Sequence, residues 1–210
     1  MRVLGVDEAG RGCVFGPLVV AGFVVDDVGD DALREAGAAD SKRLSPARRQ
    51  AARVVLDELG TAVLRGITPE AIDRGNLNRL EEAAIVDIVR EVRPDRVYVD
   101  AMGSRKTASR LATRLAGQVG FDAEWVVEPK ADATWPVVGA ASIFAKTTRD
   151  AALDALREQW GDLGSGYPSD PTTRAWMTTW AATGEPWPDF VRTRWGTVCQ
   201  IAQQVMFGGG

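Results

Sequence analysis

Val3-Leu4-Gly5-Val6-Asp7-Glu8-Ala9-Gly10-Arg11-Gly12 is the stretch on which the reading of the chain turns. Its apolar run, Val3 to Val6, reads as a short buried strand ending on two adjacent acids. Gly10-Arg11-Gly12 then marks a turn or bulge. Leu18 to Val25, apolar and rich in valine, reads as a second strand and the hairpin partner of the first.

Outward from this hairpin, strands alternate with helices. Ser45-Pro46 fits a helix start, with Ser45 as cap and Pro46 in the first helical position, and Gly60 stops that helix after Leu59. Ala62 to Ile67 reads as a third strand. Thr68-Pro69 and Asn76 open two further helices, the second ending at Pro94. Arg96 to Asp100 is a strand that ends on an acid, Thr107 to Gln118 a helix, Ala123 to Glu128 a fifth strand and Val137 to Trp160 a long helix. From Gly164 onward the chain reads as helical pieces separated by prolines. This order predicts an α/β fold with a mixed sheet. Residues 1–160 are expected to form the sheet domain, 161–207 a helical appendage and 208–210 a flexible tail.

Composition narrows the chemistry. The chain has 210 residues, 45% hydrophobic and 26% charged, which excludes disordered, collagen-like and coiled-coil classes. No apolar run is long enough to span a membrane, and Asp7-Glu8 interrupts any signal-peptide core, so a cytoplasmic protein is expected. There is no histidine, which excludes His-dependent triads, His-ligated zinc and imidazole acid–base catalysis. Cys13 and Cys199 are too few for a disulfide framework or a zinc site. The net charge is −4, so nucleic-acid binding requires a local basic patch or a metal ion. Arg43, Arg48, Arg49, Arg105, Lys106 and Arg110 could form such a patch, or a solvated face.

Carboxylates carry what remains. Asp7 and Glu8 close the first strand, Asp100 closes the fourth, and Asp132 follows the fifth. Functional groups of α/β sheets gather at such strand ends. Acids brought together there repel one another unless a cation neutralises them, and with no His or Cys cluster competing the natural guest is Mg²⁺ or Mn²⁺. Two such ions about 3.5–4 Å apart serve in-line attack on a phosphodiester. Each acid alone is more ordinarily a helix cap or a turn residue. Neighbours on a strand also point to opposite faces, so Asp7 and Glu8 share a site only if the strand ends or bulges there, which Gly10 and Gly12 would permit.

Gly5 to Gly12 with Gly16-Pro17-Leu18 resembles the opening signature of type 2 ribonucleases H, the ribonuclease HII family. Asp40-Ser41-Lys42-Arg43-Leu44, Asn76-Leu77-Asn78 with Glu81, Tyr98-Val99-Asp100, Lys130-Ala131-Asp132 with Pro136-Val137-Val138, Ala140-Ala141-Ser142-Ile143 and Ala145-Lys146, and Gly164-Ser165-Gly166-Tyr167-Pro168-Ser169-Asp170-Pro171 resemble its later blocks, in the family's order. The single-domain length and the last block look most like archaeal members and their close bacterial relatives, and a form without the extra N-terminal domain of ribonuclease HIII is expected.

The resemblance implies a ribonuclease H-like, five-stranded mixed sheet flanked by helices, with a C-terminal helical part. It implies cleavage of the RNA strand of RNA–DNA hybrids and incision 5′ of a ribonucleotide embedded in duplex DNA, leaving a 3′-hydroxyl and a 5′-phosphate. It makes Asp7, Glu8, Asp100 and Asp132 the ligands of two divalent ions, one activating the attacking water and one stabilising the leaving 3′-oxygen. Gly10, Arg11 and Gly12 become the loop that senses the ribose 2′-hydroxyl through backbone groups, which fits the close approach glycine allows. Tyr167 becomes the residue stacking on the deoxyribose that follows; read without the resemblance, it is a tyrosine of a Gly/Pro turn packed on a helix. Lys42, Asn76, Ser142 and Lys146 are candidate phosphate contacts, the last two sharing a helix face at i and i+4.

The chain departs from the family pattern at Cys13, Met102-Gly103, Pro129, Trp135 and Gly139, none of them an acid. Gln203 and Met206 are followed by Phe207-Gly208 rather than two aromatics, so sliding-clamp binding is not expected. A monomer is expected. Of the seven tryptophans, Trp160, Trp176, Trp180, Trp187 and Trp195 lie in the last third; they read as packing residues of the appendage rather than base-stacking platforms. Two other readings remain at this point. Gly5-Val6-Asp7 with Gly10 and Gly12 faintly resembles the phosphate hairpin of actin-like ATPases, which are far longer. A non-catalytic hybrid-binding protein would need the loop and Tyr167 but not four acids.

Overall fold

The N-terminal hairpin organises the sheet. The computed structural model describes residues 1–26, 29–38 and 44–207. The elements run β1 (Arg2–Ala9), β2 (Leu18–Asp26), α1 (Asp30–Glu35), α2 (Pro46–Leu59), β3 (Thr61–Ile67), α3 (Pro69–Arg74), α4 (Leu77–Val92), β4 (Arg96–Asp100), α5 (Arg105–Val119), β5 (Glu124–Glu128), α6 (Ala131–Thr134), α7 (Pro136–Trp160), α8 (Pro171–Thr183) and α9 (Gly196–Phe207). The sheet order is β3-β2-β1-β4-β5, with β1 antiparallel to β2 and parallel to β4, and β4 parallel to β5. This is the five-stranded mixed sheet expected.

Local signals explain most boundaries. The Ser45 side chain accepts from the Arg48 amide at the start of α2, and Thr68 does the same for α3 through Ala71. Ser104 and Thr107 form a reciprocal capping box that starts α5 at Arg105, two residues before the expected Thr107. Two short helices were not anticipated, α1 and the single turn α6 that carries Asp132. Asp7 and Glu8 also differ from expectation: β1 does not end on them. Its register with β2 runs unbroken from Arg2↔Asp26 to Ala9↔Val19, so there is no bulge. Only the parallel pairing to β4 stops earlier, at Val6↔Val99.

Strand alternation then assigns two faces. On one, a Cβ built on Gly5 would lie 2.3 Å from the carbonyl carbon and oxygen of Val137, so α7 rests directly on the backbone of β1. Val3 and Ala9 belong to the core on this side, with Leu56, Val138, Ile143 and a stacked Phe23–Phe144 pair at 5.3 Å. On the other face Leu4 and Ile88 close over Gly22, where a Cβ would meet them at 3.0 and 2.5 Å.

Contacts divide the chain into two units interleaved along the sequence: Met1–Ala9, Val19–Arg65 and Glu81–Thr147 in one, Gly10–Leu18, Gly66–Leu80 and Thr148–Gly210 in the other. The first holds nearly all of the sheet. The second contains the whole 161–207 segment and gathers 10–18, 66–80 and 148–160 with it. Its own core includes Val14, Leu163, Met177, Val191 and Ile201. Within it Trp176 stacks on Trp180 at 5.4 Å, Trp160 meets both edge-on, and Phe15 packs edge-on to Trp176 and Phe190. The tryptophans are thus packing residues of this unit. Among the described residues no helix is long and apolar enough to cross a membrane.

Candidate active site

Three elements of the first unit deliver one carboxylate each. Asp7 lies on the face of β1 that meets α7, Asp100 is the last residue of β4, and Asp132 sits on α6. Their ligand atoms lie within 4.8 Å of one another, with Asp7 and Asp132 buried and Asp100 half-buried. The turn into α6 passes through Lys130 at φ 62, a left-handed conformation uncommon outside glycine. The next amide, Ala131, donates to Asp100 Oδ1 at 3.0 Å, which ties α6 to the end of β4.

Asp7 carries the electrostatic signature of the site. Burial, then the charges of Glu8 and Asp100, push its carboxyl well above the ordinary range. A hydrogen bond with Ser142 and one from the Glu8 amide to Asp7 Oδ1 (2.8 Å) work the other way. Ser142 is fully buried, and Lys146 Nζ donates to its Oγ at 2.7 Å. The i, i+4 pair expected to touch phosphate therefore forms a chain from Lys146 through Ser142 to Asp7. Glu8, half-buried and next along the strand, is not in the group of three, as unbroken alternation requires, although its charge acts on Asp7.

In the second unit the Gly-Arg-Gly loop and Tyr167 meet. Gly10 has φ 85, and a Cβ there would lie 2.7 Å from the Pro17 carbonyl oxygen, so only glycine fits. A Cβ on Gly12 would lie 3.5 Å from the Tyr167 ring. Tyr167 is 40% exposed, and the Arg149 guanidinium sits 5.2 Å from its ring centroid. Arg149 donates to Cys13 Sγ at 2.9 Å and to the Ser165 carbonyl. The Arg11 guanidinium donates to Asn78 Oδ1. Asn76 caps α4, its Oδ1 accepting from the Arg79 amide at 3.2 Å. Lys42 and the block Asp40 to Arg43 lie outside the described residues.

Three of the departures have local surroundings that account for them. Trp135 Nε1 donates to Glu128 Oε1 at 2.8 Å, and its ring packs 4.5 Å from that of Tyr98. At Gly139 a Cβ would fall 1.8 Å from the Ala38 carbonyl oxygen, which excludes a side chain. Cys13 is buried against Arg149.

A family model, ribonuclease HII, matches residues 4–198. The chain belongs to the ribonuclease HII family. It is 40% identical to ribonuclease HII of Thermococcus kodakarensis over 98% of this chain and 91% of that one. The ribonuclease H2 structure from Pyrococcus horikoshii OT3 superposes with a TM-score of 0.92 at 36% identity, covering 99% of this chain and 100% of that one. Ribonuclease HII of Archaeoglobus fulgidus, solved in a complex with PCNA, matches at 0.87 and 38% identity over 95% and 96%.

As a ribonuclease HII family member the chain is a metal-dependent ribonuclease H, and the family's reaction is hydrolysis of the RNA strand of RNA–DNA hybrids. The expectation that the chain does not bind a sliding clamp gains no support, since a relative of this likeness was solved in a complex with PCNA. Arg149 and Arg192 of the second unit were not anticipated. Arg192 is fully buried and bonds to the Gly10–Gly16 loop. Only its neighbours in three dimensions reveal it; in the sequence it is one arginine of Val-Arg-Thr-Arg-Trp.

Proposed function

We propose that the chain incises duplex DNA on the 5′ side of an embedded ribonucleotide, as well as cutting the RNA strand of hybrids, leaving a 3′-hydroxyl and a 5′-phosphate. The observation that carries the reading is the meeting of Asp7, Asp100 and Asp132 within 4.8 Å from three separate elements. Carboxylates this close, with the Asp7 carboxyl pushed up by burial and by its neighbours' charge, suit divalent cations with oxygen ligands, Mg²⁺ or Mn²⁺. Asp7, Asp100 and Asp132 would hold them, with Glu8 as the fourth carboxylate. When bound, such a pair supplies a nucleophile at neutral pH and charge stabilisation at the leaving oxygen. Ser142 hydrogen-bonds Asp7 and favours its ionised form, and Lys146 donates to Ser142. Gly10, Arg11 and Gly12 are assigned to the 2′-hydroxyl and Tyr167 to the following deoxyribose, a reading supported by the closeness of the Tyr167 ring to Gly12, 3.5 Å from where a Cβ would stand. Asn76 and Lys42 are assigned to phosphates. We further propose that residues 1–160 carry the catalysis and 161–207 are a helical appendage, although contacts group 10–18, 66–80 and 148–160 with the latter.

The test is cleavage of an end-labelled DNA duplex holding one ribonucleotide, with Mg²⁺, Mn²⁺ or EDTA. A metal-dependent nick just 5′ of the ribonucleotide is expected. Cutting only within longer runs of ribonucleotides would overturn the roles given to Gly10-Arg11-Gly12 and Tyr167. Asp100→Asn is expected to keep binding and lose cleavage; a non-catalytic hybrid binder would change little.

A further inference from the structure

Four hydrogen bonds from one buried side chain converge on the loop that follows β1. Arg192 Nη2 donates to the carbonyl oxygens of Gly10 at 2.7 Å and Gly16 at 3.0 Å, Nε to Gly16 at 3.1 Å, and Nη1 to Arg11 at 3.0 Å. Its own amide donates to the Val14 carbonyl at 2.9 Å, and the indole of Trp195 lies 5.4 Å from the guanidinium. Burial lowers its pKa to about 10, which leaves it a cation at neutral pH. A planar fork of donors fixes the direction of each carbonyl, which a single ammonium does not.

The direction of those carbonyls has a consequence for the donors of the same loop. In a trans peptide the C=O of one residue and the N–H of the next lie in one plane and point opposite ways. Drawing the carbonyls of Gly10 and Arg11 toward Arg192 therefore aims the N–H groups of Arg11 and Gly12 away from it. The Tyr167 ring lies near this loop, 3.5 Å from where a Cβ on Gly12 would stand. The carbonyl dipoles, which would repel a phosphodiester, are turned inward at the same time.

We propose that Arg192 is a positioning residue for ribose recognition: it holds the loop so that the amides of Arg11 and Gly12 are presented to the 2′-hydroxyl oxygen of the substrate. The proposal rests on the assignment of Gly10-Arg11-Gly12 as the ribose sensor. A deoxyribose has no 2′-oxygen to accept from those donors, so the alignment set by Arg192 becomes a preference for ribose over deoxyribose.

The test measures binding by the full chain carrying Asp100→Asn, so that substrate survives, to two duplexes that differ only in one ribonucleotide. Arg192→Lys keeps the charge and removes the fork. It is expected to reduce the ratio of the two affinities severalfold, through weaker binding of the ribonucleotide duplex while binding of the all-DNA duplex is held. An unchanged ratio, or a parallel fall in both affinities, overturns the proposal. Gly12→Ala in the same background separates the two levels of inference. If Gly12→Ala abolishes the preference and Arg192→Lys does not, the role of Arg192 is wrong and the sensor stands. If Gly12→Ala leaves the preference intact, the sensor itself is misassigned. Should Arg192→Lys fail to fold, amide resonances of Arg11 and Gly12 in the Asp100→Asn chain decide. They are expected to shift with the ribonucleotide duplex and much less with the all-DNA duplex, and equal or absent shifts overturn the proposal.

Discussion

Gly5 and Val137 meet backbone to backbone: a Cβ on Gly5 would stand 2.3 Å from the Val137 carbonyl carbon and oxygen. This approach seats α7 on β1. It is also what brings Ser142, a turn and a half into the helix, to Asp7, two residues along the strand. Gly5→Ala must push the helix off the strand. Overpacking of a core costs about 1–3 kcal/mol, and a clash with backbone belongs at the upper end. A fall in the urea midpoint together with loss of cleavage is expected. A variant as stable and active as wild type would mean that the two backbones are not in contact.

The same pair shows what could be read before the structure. Gly5 was visible as part of a signature, and Asp7, Asp100 and Asp132 as acids near strand ends, because chain order and apolar runs report directly on strands. The close approach was not visible, since a glycine does not say which element lies against it. Strand continuity was misjudged for a related reason: Asp7 and Glu8 look like the polar end of an apolar run, yet antiparallel pairing with β2 carries β1 through Ala9. Helix α6 escaped because one turn has no periodicity to detect. Arg192 escaped because its partners are carbonyl oxygens more than 170 residues away, and carbonyls leave no mark on a sequence.

Asp7 makes the metal-free protein sensitive to pH. Its carboxyl is raised in the folded state, mainly by burial and then by Glu8 and Asp100, above the 3.8 of the unfolded chain. The folded state therefore binds the proton more tightly. Its contribution to stability is fully present below pH 3.8 and is lost as pH rises through the folded value. In EDTA, stability is expected to rise on replacing Asp7 with Asn at neutral pH and to change less in acid. Mg²⁺ or Mn²⁺ is expected to stabilise wild type, by about 2.7 kcal/mol at a hundredfold excess over Kd. Thermal melts with and without Mn²⁺ measure both effects; a wild type indifferent to Mn²⁺ would contradict the metal site.

Ser142→Ala isolates the support beneath Asp7. The hydrogen bond from Ser142 lowers the Asp7 pKa, and Lys146 orients Ser142 through a 2.7 Å contact. Without the hydroxyl, Asp7 holds its proton to higher pH. The acidic limb of the pH–rate profile is expected to move upward, and kcat at neutral pH to fall by about 10–100-fold, the usual cost of removing a group that orients a metal ligand. A uniform fall in rate at every pH, with the limb unmoved, would assign Ser142 to packing alone.

Asp170 performs the equivalent service for the turn that bears Tyr167. One carboxylate oxygen accepts from the Ser165 amide at 2.6 Å and the other from Thr172 at 2.8 Å, so the side chain caps α8 and closes the Gly164–Pro168 turn at once. Hydrogen bonds with Ser165, first its side chain and then its amide, hold the carboxyl at about 2. A lowered folded value means that the stabilisation is present above the unfolded 3.8 and disappears as pH falls through about 2. Asp170→Asn is therefore expected to be less stable than wild type at pH 7, with the gap closing steadily below pH 4. Paired urea denaturations between pH 7 and pH 3 test this, and a gap that stays constant across the range would show that the charge is not what closes the turn.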